Sequence, residues 1–297
     1  MNELPIDPKD LLYFVGLPGL LGIAAMVASW RGRWGGPVAL AGAFLVAFRP
    51  IVGSLPGLPP RESVAWLFYI AIGLLVLGLA GSIVRPGRWL SCTVVTLIVA
   101  GCAFLLLKFR FAAGWDARDA VLEIGALSLL GLAWCGSLES SAAENAILAS
   151  LSMVLIGTSI ALVLAFSGSL KLGLLAGALT AGCGGMLLVA LARGGGVDLT
   201  HGTSLVFATL CIGLLICAYY LAEMNPLTGL LLAATPQWVI DARVLAPAHW
   251  HPWRRASLRL LILAVPLGMA VSIAAWEFRN AQRGSDEAGY SRLVFIR

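Results

Sequence analysis

About nine stretches of roughly 20 predominantly apolar residues fill this chain almost end to end, joined by short polar links. A run of that length is what a helix needs to cross the roughly 30 Å hydrocarbon core of a bilayer, where a lipid-exposed backbone must satisfy its own hydrogen bonds. The runs are Leu11 to Trp30, Pro37 to Leu55, Ser63 to Val84, Leu90 to Leu107, Asp119 to Ser137, Glu144 to Phe166, Leu170 to Ala192, His201 to Ala222 and Leu258 to Phe278. The second is interrupted by Arg49 and Pro50. The sequence therefore predicts an all-α polytopic integral membrane bundle of about nine transmembrane helices, with a short interfacial or re-entrant helical segment at 225–246. Residues 1–278 form one membrane domain and 279–297 a short polar tail.

Composition excludes a soluble fold. Hydrophobic residues make up 60% of the chain and charged ones 12%, with a mean hydropathy of +0.92, whereas soluble domains carry roughly a quarter charged residues. The N-terminal "MNELPIDPKD" holds Glu3, Asp7 and Asp10 against Lys9, so the first run lacks the basic flank of a cleavable signal and is expected to stay as a helix. Net charge is +5, but the basic residues are scattered over nearly every link, which argues against a nucleic-acid partner. They fall almost evenly on the two sides whether or not 225–246 crosses, so no positive-inside bias sets the orientation. Trp30, Trp34, Trp66, Trp89 and Trp115 sit at run edges, as an interfacial aromatic belt would. The primary partner is the lipid bilayer, with a cell membrane as the expected location.

Cys92, Cys102, Cys135, Cys183, Cys211 and Cys217 all lie inside apolar runs and form no C-x-x-C, so they read as small packing residues rather than a disulfide framework. In the seventh run Gly173, Gly177, Ala181 and Gly185 recur every four residues as a small-residue stripe. Without side-chain bulk another helix can approach closely there. Internal packing ranks ahead of a membrane-protein partner or homo-oligomer at this stripe.

Ionisable groups in hydrocarbon are costly and mark functional candidates. Here Arg49, Glu123 and Glu223 lie near run ends, where snorkelling or a structural ion pair ranks first. Asp119 and Glu123, four apart on one helical face, need a cation between them, and Lys108, Arg110 and Arg118 are near in sequence. In "SAAENAIL", Ser141 and Glu144 match a capping box opening the sixth helix. The link "RGGGVDLTHGTS" offers glycine N–H groups, Asp198 and His201, but it has no GxxxxGK and reads first as a tight turn. His249 and His251 alternate with tryptophans ahead of Arg254, Arg255 and Arg259. With no third ligand close in sequence other than Asp241, lipid-headgroup contact outranks a metal site. No cofactor is implied.

The stretch "YYLAEMNPLTGLLLAATPQWVID" is the main irregularity. Asn225 and Pro226 form a helix start, and Thr235 with Pro236 repeats the device, leaving between the prolines a run of only about 14 Å of helix, too short to cross. An interfacial segment ranks ahead of a re-entrant one, and either leaves an odd number of spans. The candidate polar site is Glu223, Asn225, Arg49 and Asp241. Because polar groups near the midplane are scarce, the leading expectation is a non-catalytic, assembly-type membrane subunit. The alternative is a small-solute transporter using the break at 223–241.

Overall fold

The computed structural model describes residues 12–29, 33–60, 62–83, 88–112, 114–197, 199, 201–245 and 252–294. Among them are ten helices of 12 residues or more and no strand: α1 (Leu17–Ala28), α2 (Gly35–Val52), α3 (Ser63–Ile83), α4 (Arg88–Leu107), α5 (Ala117–Glu144), α6 (Ala146–Phe166), α7 (Leu170–Ala192), α8 (His201–Leu221), α9 (Pro226–Leu245) and α10 (Pro252–Val294). Seven are both long and apolar enough to cross a membrane, and Leu12–Ala28, Ser91–Leu107 and Pro226–Pro236 are shorter apolar runs. The chain is a multi-pass α-helical membrane bundle.

Contacts sort the helix ends into two sets. At one end the Arg193 guanidinium donates to the Met26 carbonyl at 3.4 Å and Arg259 pairs with Glu144. At the other, Ser63 Oγ donates to Leu106 O at 3.3 Å, the Phe166 and Phe278 rings lie 5.8 Å apart, and Asn225 Nδ2 donates to Glu277. Successive helices alternate between these ends. Because α8 finishes beside Asn225 while α10 starts beside Glu144 and reaches Asn225 only at Glu277, α9 must run the length of the bundle between them. Among the described residues α9 thus runs along the bundle, where an interfacial or re-entrant segment is expected from the sequence.

The reason lies in α5. Pro236 has no N–H to give to Leu232 O and its ring displaces the neighbouring backbone, which in isolation would break the helix. Here Trp134 Nε1 donates to Ala233 O at 2.8 Å and Ser137 Oγ donates to Pro236 O, so side chains of a neighbour take up carbonyls around the proline. Thr235 does not cap a new helix; its hydroxyl bonds back to Leu231 O at 2.7 Å. The resulting 20 residues make about 30 Å of continuous helix. Pro50 is likewise inside α2, which continues to Val52 and stops at Gly53, whose φ of 94° suits a residue without Cβ. Arg49 and Pro50 therefore do not interrupt the span. The capping box also gives way: α5 runs through Ser141 to Glu144, and Asn145 caps α6 by accepting from Ile147 N at 2.9 Å and Leu148 N at 3.4 Å.

At the centre stands α8. It packs on α2, α3, α4, α5, α6, α7 and α9, and Val206, Phe207, Ala208, Leu210 and Leu214 are fully buried. A helix apolar on all sides can only occupy such a place. Glycines set the closest approaches: a Cβ on Gly22 of α1 would come 2.7 Å from Gly182 O of α7, and one on Gly202 of α8 would come 2.2 Å from Gly78 O of α3.

The α7 stripe divides among several neighbours. Gly173 faces Ala161 and Ala165 of α6, Gly185 faces Gly19 to Ile23 of α1, and Gly177 has open space. Positions four apart advance about 40° each time around a helix of 3.6 residues per turn, so Gly173 and Gly185 point about 120° apart. A close approach to α2 falls at Gly182, outside the stripe, where a Cβ would lie 2.9 Å from Ala39 O.

Candidate functional site

An open apolar cleft of about 350 Å³ lies between α5, α8 and α9, at the end of the bundle where α8 passes into α9. Its walls are Leu127 and Leu130 of α5, Ile212 and Ile216 of α8, and Gly229 and Leu230 of α9. From Glu123 to Leu130 is seven residues of helix, so the cleft is about 10 Å deep. It opens sideways: Leu230 is 65% exposed and Tyr219 42%. In a membrane protein such a surface meets acyl chains.

One charged residue lines this cleft, Glu123. Its Oε2 accepts from Arg110 Nη1 at 2.6 Å and from the Tyr220 hydroxyl at 2.6 Å. The guanidinium carbon of Arg110 lies 4.8 Å from the centre of the Trp115 ring and 4.7 Å from that of Tyr220, positions at which ring quadrupoles attract a cation by about 0.5–2 kcal/mol each. The hydrogen bond to Glu123 holds Arg110 above its ordinary guanidinium value, so it stays charged. The pair remains partly open, with the two side chains 29% and 33% exposed.

Local sequence builds this arrangement. After α4 the link makes one turn, Phe109–Ala112, then reverses at Gly114 with a φ of 87°, and Trp115 N donates to Arg110 O at 3.0 Å. That reversal folds Arg110 back over the start of α5. Phe111 packs against Trp115 with ring centres 5.0 Å apart, and Lys108 sits 4.1 Å over Trp66. The aromatic and basic residues near Trp66 and Trp115 thus gather at one end of the bundle, as anchors in the headgroup region do.

The residues singled out from the sequence do not converge. Arg49 is exposed in the last turn of α2, at the same end as Glu223 but with no contact between them among the described residues. His201 begins α8 at the opposite end, so the three candidates Arg49, Glu223 and His201 do not share one site. Glu223 is exposed and occupies a left-handed conformation, φ 50°, at the end of α8, where Met224 N donates to Ala218 O at 3.3 Å as in a Schellman closure. It turns the chain beside the cleft, and Met224 and Pro226, which follow it, line the wall. Asn225 caps α9, accepting from Leu227 N at 2.8 Å, and its amide reaches Glu277 of α10. Asp241 and Gln237 belong to α9, but their side chains lie outside the described residues, as do Asp198, Thr200, His249 and His251.

Tyr220 is the residue that reading the sequence alone passes over. A phenol at the end of an apolar run, three residues before Glu223, is the signal that points to it. Among the described residues no group of three or more His, Cys, Asp or Glu gathers as metal ligands, and the described cysteines are all free thiols. No protein-family model, curated protein or solved structure matches the chain.

Proposed function

We propose that this multi-pass membrane protein is a carrier for a small amphiphilic molecule, which enters from the bilayer into the cleft between α5, α8 and α9. The observation that carries the reading is a partly open ionic cluster at the mouth of an apolar cleft: Glu123 is bonded to both Arg110 and Tyr220, and the walls below it are almost wholly apolar. Few polar groups fixing orientation in an otherwise apolar concavity is the usual make-up of a small-molecule site.

Two features of the helix arrangement support transport over a purely structural subunit. α9 traverses the bundle carrying Pro236 beside the cleft, and helices broken or bent by proline recur where carriers line their pathways. The two halves of the chain also pair alike: α1 on α2 as α6 on α7, α4 on α5 as α9 on α10, with α2 meeting α7 and α3 meeting α8. Five helices per half make the halves run in opposite directions, the relation of inverted-repeat carriers. The correspondence is partial, since the packing of α10 on α6 has no counterpart in α5 on α1. As for the small-residue stripe, Gly173 and Gly185 are used inside the chain, which leaves the outward surface near Gly177 for a partner helix.

The test is a thermal-stability screen of the purified protein against small amphiphiles bearing cationic, neutral or anionic heads. It is run on the wild type and on Gly229→Phe, a bulky substitution in the cleft wall at a position where an added Cβ meets only the terminal methyl of Met224. At least one head-group class should raise the wild-type melting temperature, lose that effect in Gly229→Phe, and accumulate in proteoliposomes. If no class shifts the wild type, or if Gly229→Phe responds equally, the carrier reading fails.

A further inference from the structure

We infer that the substrate of this cleft is a lipophilic cation, and that Arg110 occupies the seat its charge takes. The inference rests on the carrier reading and adds the sign of the charge to it. The seat has three walls: the Glu123 carboxylate and the rings of Trp115 and Tyr220. A carboxylate flanked by two aromatic faces is complementary to a positive, weakly hydrated group and to nothing anionic. What fills it is the protein's own guanidinium, delivered by a short link from outside the bundle.

The two charges of the pair are not equivalent with respect to the cleft. Glu123 lines it together with Tyr219 and Tyr220, whereas Arg110 does not. A ligand lying along Leu127, Leu130 and Leu230 with its charged end at the mouth therefore meets the carboxylate and the phenol. Arg110 reaches the same carboxylate from the link, lying over the Trp115 and Tyr220 rings. It is 29% exposed on a link that carries it as one turn, so it can swing to water or headgroups when a ligand cation replaces it. Replacement keeps the charge balance, because one cation leaves Glu123 as another arrives. An uncharged amphiphile would gain only the apolar walls, and an anion would face the carboxylate.

Apolar access favours the same class. The cleft opens beside Leu230 of α9 and Tyr219 of α8, 65% and 42% exposed. A ligand arriving that way must dissolve in hydrocarbon, so its charge has to be delocalised or shielded by apolar groups. A compact, strongly hydrated ammonium does not meet that requirement.

Tetraphenylphosphonium and tetraphenylborate have nearly the same shape and opposite charge, and they decide the matter by equilibrium binding to the full-length protein in uncharged detergent. The phosphonium should bind the wild type and the borate should not. Arg110→Gln, by removing the internal competitor, should tighten phosphonium binding about tenfold, which corresponds to about 1.4 kcal/mol. Glu123→Gln should weaken it at least tenfold. An anionic substrate reverses both signs: the borate binds, and Arg110→Gln abolishes it. Unchanged phosphonium affinity in Arg110→Gln overturns the inference even if Glu123→Gln fails to fold. If a phosphatidylcholine headgroup is the true occupant, adding that lipid to the micelles displaces the phosphonium in a Glu123-dependent manner, and the inference of a free cation is overturned. Should neither ion bind while neutral amphiphiles still stabilise the wild type and not Gly229→Phe, the carrier reading survives and the cation does not.

Discussion

At the scale of single residues, what matters along α7 is which neighbour each small side chain meets. Gly182 lies against the α2 backbone, where a Cβ would be 2.9 Å from both Ala39 O and the Ala43 methyl, while a Cβ on Gly177 meets nothing within 4 Å. Backbone cannot yield as a flexible side-chain tip can. Gly182→Val should therefore cost roughly 1–3 kcal/mol through overpacking, whereas Gly177→Leu should stay within about 0.5 kcal/mol of the wild type. Thermal unfolding in detergent checks both, and equal losses at the two positions would mean that Gly177 also faces a packed neighbour. Glu223 teaches a similar lesson. Its charge, placed at the end of a span, marks it as a functional candidate, yet in the fold it is an exposed chain-reversing residue with φ 50°, and the carboxylate at the cleft belongs to Glu123.

Among the elements, α9 is the one whose nature depends on a neighbour. Its helical continuity past Pro236 is supported by Trp134 and Ser137 of α5, with Trp134 fully buried between the two helices. Trp134→Phe keeps most of the ring volume but removes the N–H, leaving Ala233 O without that donor. The expected loss is about 0.5–1.5 kcal/mol, the net worth of one such hydrogen bond. Pro236→Ala returns the N–H that Leu232 O lacks and removes the ring, so the helix depends less on α5 there and the same replacement should cost less. A double-mutant cycle read by denaturant unfolding measures the difference. Full additivity would show that Trp134 acts by packing alone and that some other contact carries α9 through the proline.

For the whole molecule, the alternation of helix ends makes a topological statement that no single contact makes. The α2–α3 link at Gly57, the α4–α5 link at Gly114 and the far part of α10 at Arg283 share one end; the α7–α8 link at Gly195 and the start of α10 at Arg254 share the other. With single cysteines introduced at these positions in a cysteine-free background, an impermeant thiol reagent added from one side should label Gly57, Gly114 and Arg283 as a group. Gly195 and Arg254 should label only from the opposite side. Labelling of Arg254 together with Gly114 would place both ends of α9 on one face of the membrane and restore an odd number of crossings.

The all-helical membrane class could be read from the sequence because it depends on a local quantity: runs of apolar residues of spanning length have no other stable place. Most helix ends were legible for the same reason, as with Asn225 beside Pro226, whose capping bond lies within three residues of chain. Where local signals competed, the fold chose. Pro236 and Thr235 carry a stop signal, and the helix continues past it where Trp134 and Ser137, about a hundred positions earlier, donate to carbonyls beside the proline. The site follows the same rule. Glu123, Arg110 and Trp115 are close in sequence, but the phenol of Tyr220 is 97 residues away and comes to Glu123 only because α8 packs on α5. Hydrophobic length is a property of a segment, whereas a cleft and the charge at its mouth belong to the spaces between segments, which tertiary packing alone brings into being.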